Sequence, residues 1–304
     1  MNIFNRICYH TWNIGFIEND IPSVILGGET KVRVKWVKHK YKDRFFADPF
    51  ILSIDDRVIK VLVEDYPYYN KVGQISLLTV DRKTYELIDR KEILKQPFHM
   101  SYPFIQRLDS GDFWVAPEAS MSGKLYRYTM NSVSETLENQ TLLLDEPALD
   151  STIIEYKGKY WLFCTKRGMA SNRDLYIYYS DMPEGPWTPH KCNPVLSDAK
   201  TARPAGYMIN IDGAIYRVTQ KCDKHYGEAI NITKVSVLNE TEFKEIFVKE
   251  IRAQKDNYSE CFHTINSISG GNICVVDGVR KDFRPIRRIW YELRNKLHIK
   301  HEER

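Results

Sequence analysis

Pairs of apolar runs separated by short polar turns recur along the chain, and each pair predicts a β-hairpin. The clearest pair flanks the turn 109–112, Asp-Ser-Gly-Asp. Asp and Ser side chains bond to their own backbone in turns, and Gly accepts a positive φ. His99 and Tyr102 precede this hairpin, and Glu118 follows it. Because a hairpin brings its ends together, we expect these three side chains to lie close in space.

The same layout recurs about every 50 residues, a period typical of the four-stranded blades of a β-propeller. The first strands of the five copies begin near residues 48, 102, 150, 203 and 263. Blades bury their faces only against neighbouring blades, so five copies predict one closed all-β domain, a five-bladed β-propeller. The polar residues at the outer ends of the hairpins then converge on one mouth of the central channel.

The repeat also sets expected boundaries. We expect blades to begin near 45, 99, 149 and 203, and the fifth blade to contain 243–251 and 261–279. Short strands are expected at 12–17 and 32–36, and one of them is a candidate to close the ring by pairing with the last blade. The propeller is expected to span residues 1–282, with the first 35 or so residues as candidates for ring closure.

Residues 283–304 have a different periodicity. After Pro285, which suits a first helical turn, apolar residues fall on one helical face and Arg and Lys cover much of the rest. This pattern predicts a short, basic, amphipathic C-terminal α-helix. A helix packed on the propeller with its basic face in water is favoured by the shortness of the apolar face. Peripheral contact with an anionic membrane surface is the alternative.

Composition narrows the class of protein. The net charge of +4 over 304 residues is too small to indicate a nucleic-acid partner. The six Cys form no CxxC pair, which favours a reducing, cytoplasmic location without a zinc site, and the inner face of the membrane is the alternative location. The sequence contains no long apolar run, secretory signal, phosphate-binding Gly-rich loop, GxSxG or HExxH motif. We therefore expect no cofactor and no metal.

Four carboxylates stand at equivalent strand ends of three predicted blades: Asp48, Glu64, Glu118 and Asp150. Glycoside chemistry needs one carboxylate as base or nucleophile and a second, with a raised pKa, as acid. Such a ring around one mouth therefore indicates a sugar-processing site. The alternative is that these residues only cap turns.

Several other residues at the same strand ends suit substrate binding. Arg203 suits a carboxylate or phosphate oxygen, or an ion pair with one of the carboxylates, and Lys166 and Arg167 add positive charge. His263 is a candidate acid or base, or a structural residue. Sugars stack on aromatic rings and bind amides through two hydrogen bonds. The predicted substrate-binding residues are Glu64, His99, Tyr102, Lys166, Arg203, Gln220, Tyr226 and His263.

A set of short motifs adds a family resemblance. The motifs are 46–50 (Phe-Ala-Asp-Pro-Phe), 99–104 (His-Met-Ser-Tyr-Pro-Phe), 116–118 (Ala-Pro-Glu), 125–127 (Leu-Tyr-Arg), 185–187 (Gly-Pro-Trp), 202–206 (Ala-Arg-Pro-Ala-Gly) and 220–227. Over about residues 12–280 the chain resembles the β-propeller domain that lies N-terminal in plant glucosamine inositolphosphorylceramide transferases and occurs in bacterial proteins of surface-polysaccharide gene clusters.

The resemblance implies the five-bladed fold of arabinanases, invertases and levansucrases. By motif position, Asp48 resembles the base or nucleophile of those enzymes and Glu118 resembles the acid. Asp150 would tune or orient them. These three are the candidate catalytic residues.

Three functions remain open from the sequence. The first is a glycosyltransferase-like enzyme of surface-polysaccharide or glycolipid synthesis, with a sugar donor and a glycan acceptor as partners. The second is a glycoside hydrolase that uses Asp48 and Glu118. The third is a non-catalytic glycan-binding module that positions an acceptor for a partner transferase. The third function predicts aromatic residues, rather than carboxylates, at the deepest point of the mouth.

Overall fold

The computed structural model describes residues 8–131, 133–268 and 270–283. This part of the chain begins with strand β1 (Cys8–Ile17), helix α1 (Ile21–Leu26) and the short strands β2 (Lys31–Val32) and β3 (Lys35–Trp36). Pro22 lies in the first turn of α1, and Asp20 caps it by accepting a hydrogen bond from the Ser23 amide at 2.7 Å.

The next strands form three consecutive sheets, each ordered from the first strand outward. Blade I comprises β4 (Arg44–Ile54), β5 (Val58–Pro67), β6 (Gln74–Asp81) and β7 (Leu87–Leu94). Blade II comprises β8 (Ser101–Arg107), β9 (Phe113–Glu118), β10 (Leu125–Asn131) and β11 (Thr136–Leu144). Blade III comprises β12 (Ala148–Tyr156), β13 (Lys159–Lys166), β14 (Asp174–Ser180), β15 (Thr188–Pro189) and β16 (Leu196–Ser197).

The last two sheets use strands from both ends of the described chain. Blade IV comprises β17 (Ile209–Ile211), β18 (Ala214–Lys221), β19 (Ala229–Leu238), β20 (Phe243–Ala253) and the parallel strand β2. Blade V comprises β21 (Ile265–Ser267), β22 (Cys274–Phe283), β1 and β3. The predicted all-β, five-bladed propeller is therefore confirmed.

In the structure the N-terminal strand closes the ring, and one predicted strand assignment was wrong. Strand β1 pairs antiparallel with β22 from Cys8↔Phe283 to Ile17↔Cys274, so the N-terminal strand completes blade V. Residues 243–251, expected in blade V, belong to β20 at the outer side of blade IV. The reason is that β19 and β20 form a hairpin around the Asn239 turn, while blade V takes its outer strands from the N-terminus.

The first strands of blades I, II and III share one backbone feature. Asp48, Tyr102 and Asp150 have φ of 49, 43 and 50°, each inside a register shift of the pairing with the second strand. Such a bulge inserts an extra residue and breaks the alternation of side chains. Consecutive residues on both sides are consequently buried, as in 46–51 and 148–153. The bulges recur at one level of the ring.

Side-chain hydrogen bonds connect first strands of different blades. Asn266 Nδ2 donates to the Pro49 carbonyl at 2.9 Å, and Thr152 Oγ1 donates to the Gly206 carbonyl at 3.2 Å. Apolar clusters fill the spaces between blades, the largest lying among blades I, II and III. These contacts fix the relative positions of the strand ends that form the mouth.

Two findings concern the rest of the chain. The helix prediction for 283–304 falls almost entirely on residues outside those described, so it stays a prediction; Phe283 itself ends β22. Among the described residues, no helix has the length and apolar character needed to cross a membrane.

Candidate active site

One mouth of the channel holds a cavity of about 600 Å³ to which all five blades contribute. Its charged and polar lining residues are Asp48, Glu64, His99, Ser101, Glu118, Arg167, Ser171, Arg203 and His263. Asp48, Glu64, Glu118, Arg203 and His263 are each less than 10% exposed. Charged side chains are rarely buried without partners, so this cluster marks the candidate site.

Strand register explains how the carboxylates converge. Glu64 lies opposite Ala47 on β5, and Glu118 lies opposite Ser101 on β9, so the two glutamates occupy equivalent positions in blades I and II. Asp48 sits at the bulge of β4 and accepts a hydrogen bond from the Tyr102 amide at 3.3 Å. The repeat therefore places the predicted carboxylates together.

Arg203 is held by an extensive set of contacts. Its Nε donates to Asp150 at 2.6 Å, its Nη1 donates to Asn172 Oδ1 at 2.8 Å, and its Nη2 lies 3.9 Å from Glu118. Gln220 Nε2 donates to the same Asp150 oxygen at 2.6 Å. Of the two roles that the sequence left open for Arg203, the structure shows the ion pair with a carboxylate.

Burial dominates the protonation of the other carboxyl groups. Burial, followed by the charge of Asp150, raises the pKa of Glu118 to about 8, against the opposing charge of Arg203. Burial raises the pKa of Asp48 to about 7, although the neighbouring His263 opposes the shift. Burial and the charges of Asp48 and Glu118 also raise the pKa of Glu64 well above its usual value. The mouth thus retains protonated carboxyl groups at neutral pH.

His263 lies between two carboxylates. Its Nδ1 is 2.8 Å from a carboxylate oxygen of Asp277, and its Nε2 is 3.5 Å from Asp48 Oδ1. Burial alone would lower the pKa of His263, but Asp277 and Asp48 outweigh burial and raise it. Trp12 stacks on the imidazole with ring centroids 4.0 Å apart. This arrangement favours an imidazolium beside Asp48.

Asp277 and Trp12 were not among the predicted site residues. Asp277 is fully buried and accepts hydrogen bonds from the amides of Asp48 at 2.9 Å and Thr264 at 3.0 Å. Its position at the end of the fifth hairpin copy was a usable signal in the sequence. Trp12 offered no such signal, because it reaches the mouth only through ring closure by β1.

Three predicted substrate-binding residues do not line the mouth. The Tyr102 ring is buried because it packs against Phe50, and its hydroxyl lies 2.9 Å from Thr152 Oγ1. Gln220 is fully buried and supports Asp150. Lys166 pairs with Glu146 at 3.0 Å, because successive side chains of a strand point to opposite sides and its neighbour Arg167 takes the side of the mouth.

His99 and Tyr226 do line the mouth. The Nδ1 of His99 accepts from the Gly73 amide at 3.0 Å, which leaves Nε2 to face Glu64 at 3.4 Å. Burial and the charge of Arg167 lower the pKa of His99. Tyr226 is 42% exposed, and its ring packs against the Arg203 guanidinium. These side chains form part of the wall of the cavity.

Asp48, His263 and Asp277 also present possible metal ligands, whose atoms lie within 4.8 Å of one another. The Asp277 oxygens, however, already accept hydrogen bonds from three backbone amides and face the His263 ring. This arrangement favours a chain of polar contacts from Asp277 through His263 to Asp48 over a metal site. The expectation of no metal stays a prediction.

Solved structures with similar folds are glycoside hydrolases. A thermostable family-43 glycoside hydrolase superimposes with a TM-score of 0.54 at 15% identity, covering 71% of this chain and 82% of that chain. A family 117 glycoside hydrolase of Zobellia galactanivorans superimposes with a TM-score of 0.52 at 10% identity, covering 89% of this chain and 90% of that one. At such identities the likeness shows a shared fold alone.

Similar sequences are named as transferases. A glucosamine inositolphosphorylceramide transferase 1 of Oryza sativa subsp. japonica is 31% identical over 257 residues, which are 79% of this chain and 34% of the relative. The protein of the same name from Arabidopsis thaliana is 30% identical over 210 residues, which are 67% of this chain and 27% of the relative. The chain therefore spans about a third of the length of these relatives.

A family model described as "Glucosamine inositolphosphorylceramide transferase 1, N-terminal" matches residues 33–274, which contain blades I to III completely and blades IV and V in part. The chain belongs to this family.

Proposed function

We propose that the mouth catalyses glycosyl transfer from a sugar donor to a glycan or glycolipid acceptor, in the synthesis of a surface polysaccharide or glycolipid. The observation that carries this proposal is the pair of buried carboxyl groups at one mouth, with the pKa of Asp48 raised to about 7 and that of Glu118 to about 8. Carboxyl groups with separated pKa values suit the roles of base and acid near neutral pH.

The roles follow from the surroundings of each group. Glu118, with the higher pKa, donates its proton to the oxygen that leaves when the anomeric carbon–oxygen bond of the donor breaks. Asp48 accepts the proton of the acceptor hydroxyl, whose oxygen forms the new bond to the anomeric carbon. Ser120 donates a hydrogen bond to Glu118 at 2.8 Å, and Asp150 raises the pKa of Glu118. The cationic His263 stabilises the ionised form of Asp48.

The relatives support the type of reaction. Their name specifies glucosamine and inositolphosphorylceramide, a sugar and a phosphate-containing lipid acceptor. This chain spans about a third of the length of these relatives. We therefore propose, from the site as well as from the names, that this chain catalyses the same type of reaction. Asp48, Glu118 and Asp150 are the proposed catalytic residues, and Phe45 and Tyr226 are the proposed stacking surfaces for sugar rings.

The depth of the charged groups favours catalysis over a simple binding module. Five of the buried lining residues are ionisable, namely three carboxyl groups, Arg203 and His263. Trp12 is a buried aromatic residue among them, and Tyr226 is exposed at the rim. A module that only binds glycans would place aromatic rings at the deepest point. The third function considered from the sequence is therefore less well supported.

Hydrolysis is the second candidate, because the same acid and base could activate water instead of an acceptor hydroxyl. The two reactions differ only in the acceptor. Release of free sugar from a donor or oligosaccharide, without any acceptor product, would identify hydrolysis.

The direct test is product formation by the full chain, measured by mass spectrometry, with a panel of nucleotide-sugar donors and with inositolphosphorylceramide or short glycans as acceptors. We expect Asp48→Asn and Glu118→Gln each to slow transfer by about 100- to 10,000-fold, the range for loss of a general acid or base. We also expect the wild-type rate to peak between about pH 7 and 8, where Asp48 is ionised and Glu118 is protonated.

Glu155→Gln is the matched control, because Glu155 lines the separate cavity formed by the other ends of the first strands. This variant should retain the wild-type rate. Turnover at the wild-type rate in both Asp48→Asn and Glu118→Gln would refute the proposed roles.

A further inference from the structure

The basic side chains at the mouth differ in whether they already have a partner within the protein. Arg203 is bound to Asp150 and Asn172, His263 faces Asp277 and Asp48, and His99 lies between the Gly73 amide and Glu64. All three have protein partners, and Arg203 and His263 balance buried carboxylates. An anionic part of a substrate would therefore gain little from them.

Arg167 is different. It follows β13, lines the mouth and is exposed, and its guanidinium has no hydrogen-bond or ion-pair partner within residues 8–131, 133–268 and 270–283. The hydroxyl of Ser171, four residues later in the same connection and also lining the mouth, lacks a partner in the same described ranges. Two polar groups that face one cavity are thus left available for a ligand.

The connection that carries these groups is tied to the floor of the mouth. Asn172, adjacent to Ser171, accepts a hydrogen bond from Arg203 at 2.8 Å. The Arg173 and Asp174 amides both donate to the Ala170 carbonyl, which closes a tight turn. The backbone that carries Arg167 is therefore held in place relative to Glu118. Binding a ligand then costs less conformational entropy than it would in a mobile loop.

Building on the proposed function, we propose that Arg167 and Ser171 form a rim subsite for a phosphate group on the sugar substrate. A guanidinium presents a planar fork of N–H donors that matches phosphate oxygens, and a hydroxyl adds a further donor. The basic groups on the floor, Arg203 and His263, are already bound to carboxylates. A phosphate therefore stays at the rim with Arg167, and the rest of the sugar points down toward Glu118. Arg167 would thus decide both the class of substrate and its orientation.

The test is isothermal titration of the full chain with glucosamine 1-phosphate, glucosamine and glucuronate. We expect the wild type to bind the sugar phosphate at least about tenfold more tightly than the free sugar, as a charge-assisted hydrogen bond provides. Added salt should weaken this preference, because Arg167 is exposed. Arg167→Gln should abolish the preference and leave the affinity for glucosamine unchanged.

Arg173→Gln is the matched control, because Arg173 lies in the same connection but pairs with Asp174 at 3.0 Å and does not line the mouth. This variant should keep the full preference. A wild-type protein that does not prefer the sugar phosphate, or a preference that survives in Arg167→Gln, would overturn the proposal. A preference for glucuronate as large as that for the phosphate would overturn the assignment to phosphate.

The same titration separates this proposal from the proposed reaction. Glu118→Gln should keep the preference for the sugar phosphate even though it loses turnover. If Glu118→Gln turns over normally while Arg167→Gln loses the preference, the reaction scheme fails and the phosphate subsite stands.

Discussion

Glu118 and Asp48 show how burial sets the chemistry of a side chain. Removal from water disfavours the ionised form of a carboxyl group, and a neighbouring carboxylate adds to that effect. Glu118 has Asp150 beside it, whereas Asp48 has His263. The two groups consequently have different pKa values, although both are buried carboxyl groups at one mouth.

The raised pKa values predict how stability depends on pH. Between about pH 4 and their raised pKa values, Asp48 and Glu118 bind more protons in the folded chain than in the unfolded chain. Their contribution to stability is therefore present at low pH and is lost as the pH rises through about 7 to 8. The melting temperature, measured by calorimetry, should fall less from pH 6 to pH 9 in the double variant Asp48→Asn, Glu118→Gln than in the wild type.

Glu155→Gln serves again as the control and should follow the wild-type profile. Parallel curves for the wild type and the double variant would show that these two carboxyl groups ionise with ordinary pKa values, contrary to the proposed acid and base.

The first strand of each blade pairs with the second strand of its own blade and also packs against the first strands of other blades. In β4, β8 and β12 the bulge at a residue with positive φ makes both possible. In blade IV the comparable position is Gly206, with φ of 150°. A Cβ placed there would lie 2.1 Å from the Ile265 carbonyl oxygen of blade V. The contact between blades IV and V thus requires glycine.

We expect Gly206→Ala to destabilise the protein by about 1–3 kcal/mol or more, because the backbone of one blade must move and φ is unfavourable for alanine. The melting temperature should fall by about 2–4 °C for each kcal/mol in a domain of this size. Gly213→Ala is the matched control, since Gly213 also has positive φ, at 81°, but an added Cβ would meet nothing within 4 Å. Equal losses for the two variants would rule out the close contact as the cause.

The propeller as a whole depends on contacts between residues far apart in the chain. The repeat predicted the ring from the sequence, because every copy has two apolar runs around a short turn, with polar residues at the outer ends. It could not show that β20 completes blade IV, since that depends on blade V taking β1 from the other end of the chain. Asp277 and Trp12 escaped prediction for the same reason, as the Asp277 contact with Asp48 spans 229 residues.

Local backbone geometry limited the prediction of the site in a second way. Tyr102 was expected at the mouth because it stands at the end of the second hairpin, but its aromatic ring packs against Phe50 instead. Lys166 and Arg167 were equivalent in the sequence, and only the direction of β13 decides which of them faces the cavity. The carboxylates were predictable because the repeat places them at equivalent strand ends.

The most direct measurement is the titration of Glu118 itself, by infrared difference spectroscopy of the wild type against Glu118→Gln from pH 5 to 10. It requires no knowledge of the substrate. We expect a protonated-carboxyl band at neutral pH that is lost with a midpoint of about 8 and is absent from the variant. Full ionisation of Glu118 already at pH 6 would contradict its proposed role as the acid, because the mouth would then lack its proton donor.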